Sequence, residues 1–391
     1  MDFRPGRHFL QIPGPSPVPD RVLRAMDRAV LDHRGPEFAE LGLNVLRDIK
    51  PIFGTDSHVI IFPSSGTGAW EAALVNTLSP GDKVLMFETG QFASLWVELA
   101  SKLGIEVDFV DGDWRSGVNA GQVEEKLRAD TSHTYKAVCM VHNETSTGVT
   151  SNVSNVRTAM DAVRHSALLM VDTISSLGCI PYQHDAWSVD VTVSGSQKGL
   201  MLPPGLGFNA ISEKALQISK SNGLTRSYWD WQAMITNNAS GYFPYTPATN
   251  LLYGLQESLS ILAEEGMNKV FSRHDRMAEA TRRAVQAWGL EVLCNNPNEY
   301  STVLTGVMMP DGVDADVVRK VILDNFDMSL GTGLGKMKGK IFRIGHLGEI
   351  NELTLIGALS GVEMGLSLAN VSHQKGGVAQ AMAYLTETAE C

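Results

Sequence analysis

Val189-Asp190-Val191-Thr192-Val193-Ser194-Gly195-Ser196-Gln197-Lys198-Gly199 decides the fold of this 391-residue chain. Val189 to Val193 is an apolar run of strand length, and the small residues after it form a loop that holds Lys198 at the strand's end. Upstream the same form recurs in Val59 to Phe62, Lys83 to Phe87, Val107 to Val110, Ala137 to Val141 and Ala167 to Val171. Most of these runs are separated by enough chain for a crossover helix. The pattern predicts an α/β domain built on a mostly parallel sheet covered on both faces.

Downstream, a long helical pattern runs from Leu251 through Trp288, of the kind that bridges two domains. Ser301 to Met309, Asp314 to Asn325 and Ile341 to Ile344 then read as a smaller α/β unit. At the other end, Pro13-Gly14-Pro15-Ser16-Pro17 is too rigid and too poor in N–H donors for a helix or a central strand, so it predicts an arm or a binding loop. The expected division is an N-terminal arm over 1–20, a large domain over 21–262 and a small C-terminal domain over 263–391.

Composition narrows the function. At 43% hydrophobic and 19% charged, the chain can build a substantial core. A net charge of -11 without a Lys/Arg block argues against nucleic acid or an anionic membrane surface as partner, so an anionic substrate must be met by a few local groups. Cys139, Cys179, Cys294 and Cys391 lie far apart without CxxC spacing, which fits buried thiols in a reducing compartment. The first eight residues lack the apolar core of a signal peptide, and no apolar run approaches the roughly 20 residues that span a bilayer. Ala389-Glu390-Cys391 is not a Ser-Lys-Leu address. The expectation is a soluble, cytoplasmic protein.

Four features carry chemistry. Lys198 in its loop is placed to form a Schiff base with a carbonyl compound, pyridoxal phosphate above all. Ser64-Ser65-Gly66-Thr67-Gly68 follows a strand and opens a helix, offering N–H groups, hydroxyls and the positive helix end to a phosphate, or simply an N-cap and turn. Asp172 ends the run Ala167 to Val171, at the carboxyl edge where open α/β sheets bind ligands; it is either an Asx-turn cap or the partner of a protonated pyridine nitrogen. Arg343 interrupts the short strand-like run Ile341 to Ile344 and is either a surface ion-pair residue or a two-point carboxylate clamp. Phe92 is a core residue or a ring that stacks on a cofactor. His142 and Glu144 lack a third ligand nearby, so no metal is expected. A dinucleotide fingerprint wants glycine where Glu71 stands, and the Gly-Lys pairs at 335–336 and 339–340 lack the rest of a P-loop, so a nicotinamide dehydrogenase or an NTPase loses ground.

Taken together these stretches resemble the class V aminotransferases of fold type I, in the branch that uses glyoxylate. The resemblance is carried by Gly6-Arg7-His8, Pro13-Gly14-Pro15, Phe62 to Glu71, Asn76 to Asp82, His142 to Val149, Ser194 to Gly199, Pro244-Tyr245-Thr246-Pro247 and Phe342 to Gly348. It implies a seven-stranded, mostly parallel large-domain sheet and pyridoxal 5'-phosphate bound covalently to Lys198. It further implies Asp172 at the pyridinium, Gln197 and Thr145 near the ring oxygen, and Ser65, Gly66 and Thr67 at the phosphate. Phe92 then stacks on the ring, and Arg343 holds the substrate carboxylate beside the Gly14 backbone. Tyr245 and Thr246 would complete the partner subunit's phosphate site, which implies a homodimer. Phe92 replaces the Trp of the mammalian alanine–glyoxylate enzyme, and Phe243 replaces its phosphate-binding Tyr; Phe243 cannot donate a hydrogen bond, and Tyr245 is the open substitute. The implied reaction moves an amino group to glyoxylate from a small L-amino acid, serine favoured over alanine or aspartate. A lyase of the same fold is the alternative, whereas a cysteine desulfurase would need a reactive thiol and Cys294 sits in a run that reads as a buried strand.

Overall fold

A computed structural model describes residues 5–221 and 224–389; Met1 to Arg4 of the arm and Cys391 lie outside the described residues. In chain order the strands are β1 (Phe9–Gln11), β2 (His58–Ser64), β3 (Lys83–Phe87), β4 (Glu106–Val110), β5 (Tyr135–Val141), β6 (Asn143–Glu144), β7 (Val149–Thr150), β8 (Leu168–Asp172), β9 (Val191–Gly195), β10 (Gly205–Ile211), β11 (Glu291–Val292), β12 (Leu304–Met308), β13 (Met328–Thr332) and β14 (Ile341–Gly345). The large sheet has seven strands in the order β2-β10-β9-β8-β5-β3-β4. All its pairings are parallel except those of β10, which runs antiparallel to both β2 and β9.

Alternation along the strands explains the layering. Val138, Met140, Leu169 and Val171 pack into one core with helices Pro36–Asp48, Val153–Ala162 and Thr249–Glu265. Ala137, Cys139, Leu168 and Met170 pack on the opposite face with helices Gly66–Thr77, Gln91–Lys102 and Trp231–Asn238. Successive side chains of a strand point to opposite faces, so a strand covered on both sides must be apolar throughout, as these are.

Three sequence expectations change. The seventh strand, β10, was not among the runs read as strands. It carries Gly205, Gly207 and Asn209, and a Cβ at Gly207 would lie 2.8 Å from the Ser65 carbonyl oxygen. Asn209 is buried because its amide donates to the Ala69 carbonyl at 3.0 Å and accepts from Trp231 Nε1 at 3.1 Å. The continuous helix expected from Leu251 to Trp288 is two helices, Thr249–Glu265 and Met267–Ala287, separated at Gly266 with φ +82°. The run around Cys294 is strand only over Glu291–Val292, and Cys294 follows it as a buried thiol.

The second sheet, β1-β13-β14-β12-β11, has its own core, including Leu330, Phe342, Ile344 and Leu359. The arm belongs partly to this sheet, because β1 pairs in parallel with β13. Beyond β1 the Pro-rich segment turns toward the large sheet, where Ser16 N–H donates to the Gln197 carbonyl at 3.0 Å and Ser16 Oγ to the Lys198 carbonyl at 2.9 Å.

Candidate active site

The carboxyl ends of β2, β5, β8 and β9 open on one edge of the large sheet, and register sets their residues level. Val141 pairs with Asp172, and Asp172 with Val193. A cavity of about 240 Å³ lies there, lined by Gly14, Ser65, Gly66, Thr67, Trp70, Phe92, Asn143, Thr145, Asp172, Gln197 and Lys198 among others.

Lys198 is buried, and its Nζ donates to the Pro13 carbonyl. Burial lowers its pKa to about 7; the Arg343 charge acts in the same direction, and Asp172 opposes both. Gly14, at φ +107°, is required beside it, since a Cβ there would fall on the lysine side chain. Asp172 is equally buried and accepts from Trp70 Nε1 at 3.0 Å and from Ile174 N–H at 2.6 Å. Burial raises its pKa to about 7, with Glu144 adding to the effect and Trp70, Ile174 and Lys198 opposing it.

Helix Gly66–Thr77 points its N-terminus into the cavity, and the Ser65 side chain makes no capping bond, so the first N–H groups are free of an internal acceptor. A Cβ at Gly66 would meet Ile174 Cδ1, so a larger residue there would displace the Ile174 side chain. Gln197 Oε1 is buried without a hydrogen-bond partner among the described residues. Each is a group set for something the chain itself does not supply.

Arg343 comes from the middle of β14, in the second sheet, between Gly306 of β12 and Gly331 of β13. A Cβ on Gly331 would sit 3.2 Å from Arg343 Nε. The guanidinium is buried, with Nη1 donating to the Thr145 carbonyl at 2.6 Å and Nε to the Thr332 carbonyl at 2.8 Å. Burial lowers its pKa to about 10, and Glu144 opposes the shift. The surface ion-pair alternative therefore fails for Arg343.

Glu144 was legible only as a polar residue near the site. Its carboxylate is fully buried and accepts from Phe92 N–H at 3.3 Å, Ala93 N–H at 3.2 Å, Ser146 N–H at 3.0 Å and Ser146 Oγ at 2.6 Å. It thereby caps helix Gln91–Lys102 and fixes Phe92 at the cavity wall. His142 is buried, its Nδ1 within 2.9 Å of Ser176 Oγ, and burial lowers its pKa to about 4. Trp70 and the Pro13 carbonyl are site groups that the sequence reading missed. Trp70 could have been found from its position one helical turn beyond Gly66, whereas a backbone carbonyl leaves no signal in residue types.

Tyr245 and Thr246 are not among the cavity's lining residues. Tyr245 stacks on Tyr228 with centroids 4.2 Å apart and planes at 9°, and Thr246 is exposed. The Cys294 thiol lies outside the cavity, with burial raising its pKa to about 11. That is the opposite of what a nucleophilic thiolate needs.

The class-V aminotransferase family model matches residues 8–334. Serine–glyoxylate aminotransferase of Methylorubrum extorquens is 48% identical over 391 residues, covering 98% of this chain and 97% of that protein. L-Aspartate–glyoxylate aminotransferase of Paracoccus denitrificans is 41% identical over 379 residues, covering 96% of each. The crystal structure of an alanine–glyoxylate aminotransferase from Nostoc sp. superposes with a TM-score of 0.87 at 28% identity, over 94% of this chain and 98% of that one. The cofactor of the family, pyridoxal phosphate, fits the residues present. An amine, a carboxylate, an uncapped helix end and an unpartnered amide oxygen converge on one cavity. The chain belongs to the class V aminotransferases and is a pyridoxal phosphate-dependent enzyme.

Proposed function

We propose that the chain moves the amino group of a small L-amino acid, serine before alanine or aspartate, to glyoxylate, giving glycine and a 2-oxo acid, hydroxypyruvate where serine is the donor. The observation that carries this reading is the placement of the Lys198 amine and the Asp172 carboxylate in one cavity, with the Arg343 guanidinium clamped on the carbonyl of a lining residue, Thr145. Lys198 would hold the cofactor, Asp172 its ring nitrogen, and Ser65, Gly66 and Thr67 its phosphate. Thr145 and Gln197 would meet the ring oxygen, and Phe92 the ring face. Once bound, pyridoxal phosphate supplies a sink for the electron pair left when the substrate Cα–H bond breaks.

The chain's own part is binding and proton transfer. Arg343 spends Nε and one hydrogen of Nη1 on the Thr332 and Thr145 carbonyls, which leaves Nη2 and the other Nη1 hydrogen for a carboxylate beside Gly14. A lysine near neutrality can take the Cα proton on Nζ and deliver it to a second carbon.

Tyr245 and Thr246 lie outside their own cavity, which supports a homodimer in which they reach the partner's phosphate site. Free, buried Cys139, Cys179 and Cys294 support a cytoplasmic setting. The division into an arm over 1–20, a large domain over 21–262 and a small domain over 263–391 belongs to the same reading. Serine as donor is supported by the identity to the Methylorubrum enzyme, and aspartate is the second reading because the Paracoccus relative is nearly as similar. The test is kcat/KM for serine, alanine and aspartate with glyoxylate as acceptor. Serine is expected to lead by at least about tenfold, a difference of roughly 1.4 kcal/mol in transition-state binding. A lead for alanine or aspartate would overturn the donor assignment.

A further inference from the structure

Trp70 lies on helix Gly66–Thr77 one turn beyond Gly66, lines the cavity and is 2% exposed. Its Nε1 donates to Asp172 Oδ2 at 3.0 Å, while Ile174 N–H takes Oδ1 at 2.6 Å. The indole is stacked on Trp96 with centroids 5.7 Å apart and planes at 10°, and Trp96 is fully buried, so the ring is held in one orientation. Stacking alone does not impose a partner on the indole nitrogen: Trp96 Nε1, in the same stack, is buried with none among the described residues.

We propose that Trp70 is the positioning residue of Asp172, its N–H holding the carboxylate ionised and directing the remaining lone pairs of Oδ2 to the cofactor's ring nitrogen. The charged groups facing Asp172 are Glu144, which opposes its ionisation, and Lys198, which favours it. Trp70 and Ile174 are the two neutral donors that offset Glu144. Because one helix offers its uncapped N-terminus to the phosphate and its indole to Asp172, the two ends of the cofactor site are spaced by a rigid element.

This inference rests on the assignment of Asp172 to the ring nitrogen, and the experiment separates the two. Dissociation constants of the purified apo-chain are measured for pyridoxal phosphate and for its analogue with carbon in place of the ring nitrogen. The unchanged chain is expected to prefer the natural cofactor. Trp70→Phe should bind pyridoxal phosphate about tenfold more weakly, as expected for loss of a hydrogen bond to a charged group, and bind the carbon analogue as the parent does. Benzothienylalanine at position 70, which keeps the volume and the stack but replaces the N–H with sulfur, should behave like Trp70→Phe and serves if the phenylalanine variant misfolds. Equal losses for both ligands, or no loss for either, overturn the role of Trp70 while leaving Asp172 assigned. A parent chain that does not distinguish the ligands overturns both.

Discussion

The end of β8 and the short strand β6 each bury a carboxylate at this site, and the two are satisfied differently. Asp172 accepts from two donors and lines the cavity; Glu144 accepts from four hydrogen bonds and does not line it. Both have pKa values raised by burial. A buried carboxylate with its oxygens fully engaged by N–H and O–H groups is a structural element, whereas one with open lone pairs facing a cavity awaits a ligand. Sequence position alone would not tell them apart, since Asp172 ends β8 and Glu144 comes shortly after the end of its neighbour β5.

The largest expected effect lies on neither carboxylate but on the amine between Asp172 and Arg343. Lys198→Ala should lower kcat by at least about 10⁴-fold, because it removes both the attachment point and the proton carrier. The apo-protein should keep its melting temperature or gain slightly, since a buried amine without a full set of acceptors is lost. Turnover within tenfold of the parent would break the assignment.

The comparison itself is sharpened by Asp172→Asn against Glu144→Gln. Asp172→Asn should cost about 10²- to 10⁴-fold in kcat with the fold intact, whereas Glu144→Gln should act chiefly on stability, by ~1–2 kcal/mol, through loss of the charge that caps the helix bearing Phe92. The pH dependence separates them further. Burial raises the Asp172 pKa from its ordinary 3.8 to about 7 in the folded chain, so its contribution to apo-protein stability is fully present below about 4 and lost as pH rises through 7. Asp172→Asn should therefore melt higher than the parent above pH 7, by ~2 °C or more, with the gain shrinking toward pH 4. Thermal melts of both apo-proteins across that range check it. A gain that grows as pH falls would contradict the burial of an ionisable Asp172.

Much of this was legible because the large-sheet site is written in contiguous stretches. A strand, a small-residue loop and a lysine occur together in Val189 to Gly199, and a strand, a Ser/Gly/Thr turn and a helix in Val59 to Leu78. What was missed depends on contacts distant in sequence. β10 looks unlike a strand because Gly207 makes room for Ser64 and Ser65 and Gly205 for Leu251, and its Asn209 is tolerated only through Ala69 and Trp231. Arg343 could be named as a candidate, but its burial depends on Gly331 and on the Thr145 carbonyl, 198 residues away. The Pro13 carbonyl that receives Lys198 belongs to an arm that read as rigid but not as part of either sheet, and β1 joins it to β13.

The smallest effect asks how many donors each carboxylate can lose. Ser146 Oγ provides one of the four bonds to Glu144, at 2.6 Å, and the Ser146, Phe92 and Ala93 N–H groups remain when the hydroxyl is removed. Ser146→Ala should therefore lower stability by only about 1 kcal/mol and leave kcat/KM within about twofold, since Phe92 keeps its backbone anchor. The same hydroxyl also accepts from Gln91 N–H at 2.9 Å, so the loss falls on the first turn of the helix and is read in the thermal melt. Asp172 has less reserve: it accepts from only two donors, and one of them is a side chain. If Ser146→Ala damaged turnover more than stability, Glu144 would be acting on the chemistry through Arg343 rather than on the helix that carries Phe92, and the two carboxylates would no longer divide into a ligand group and a cap.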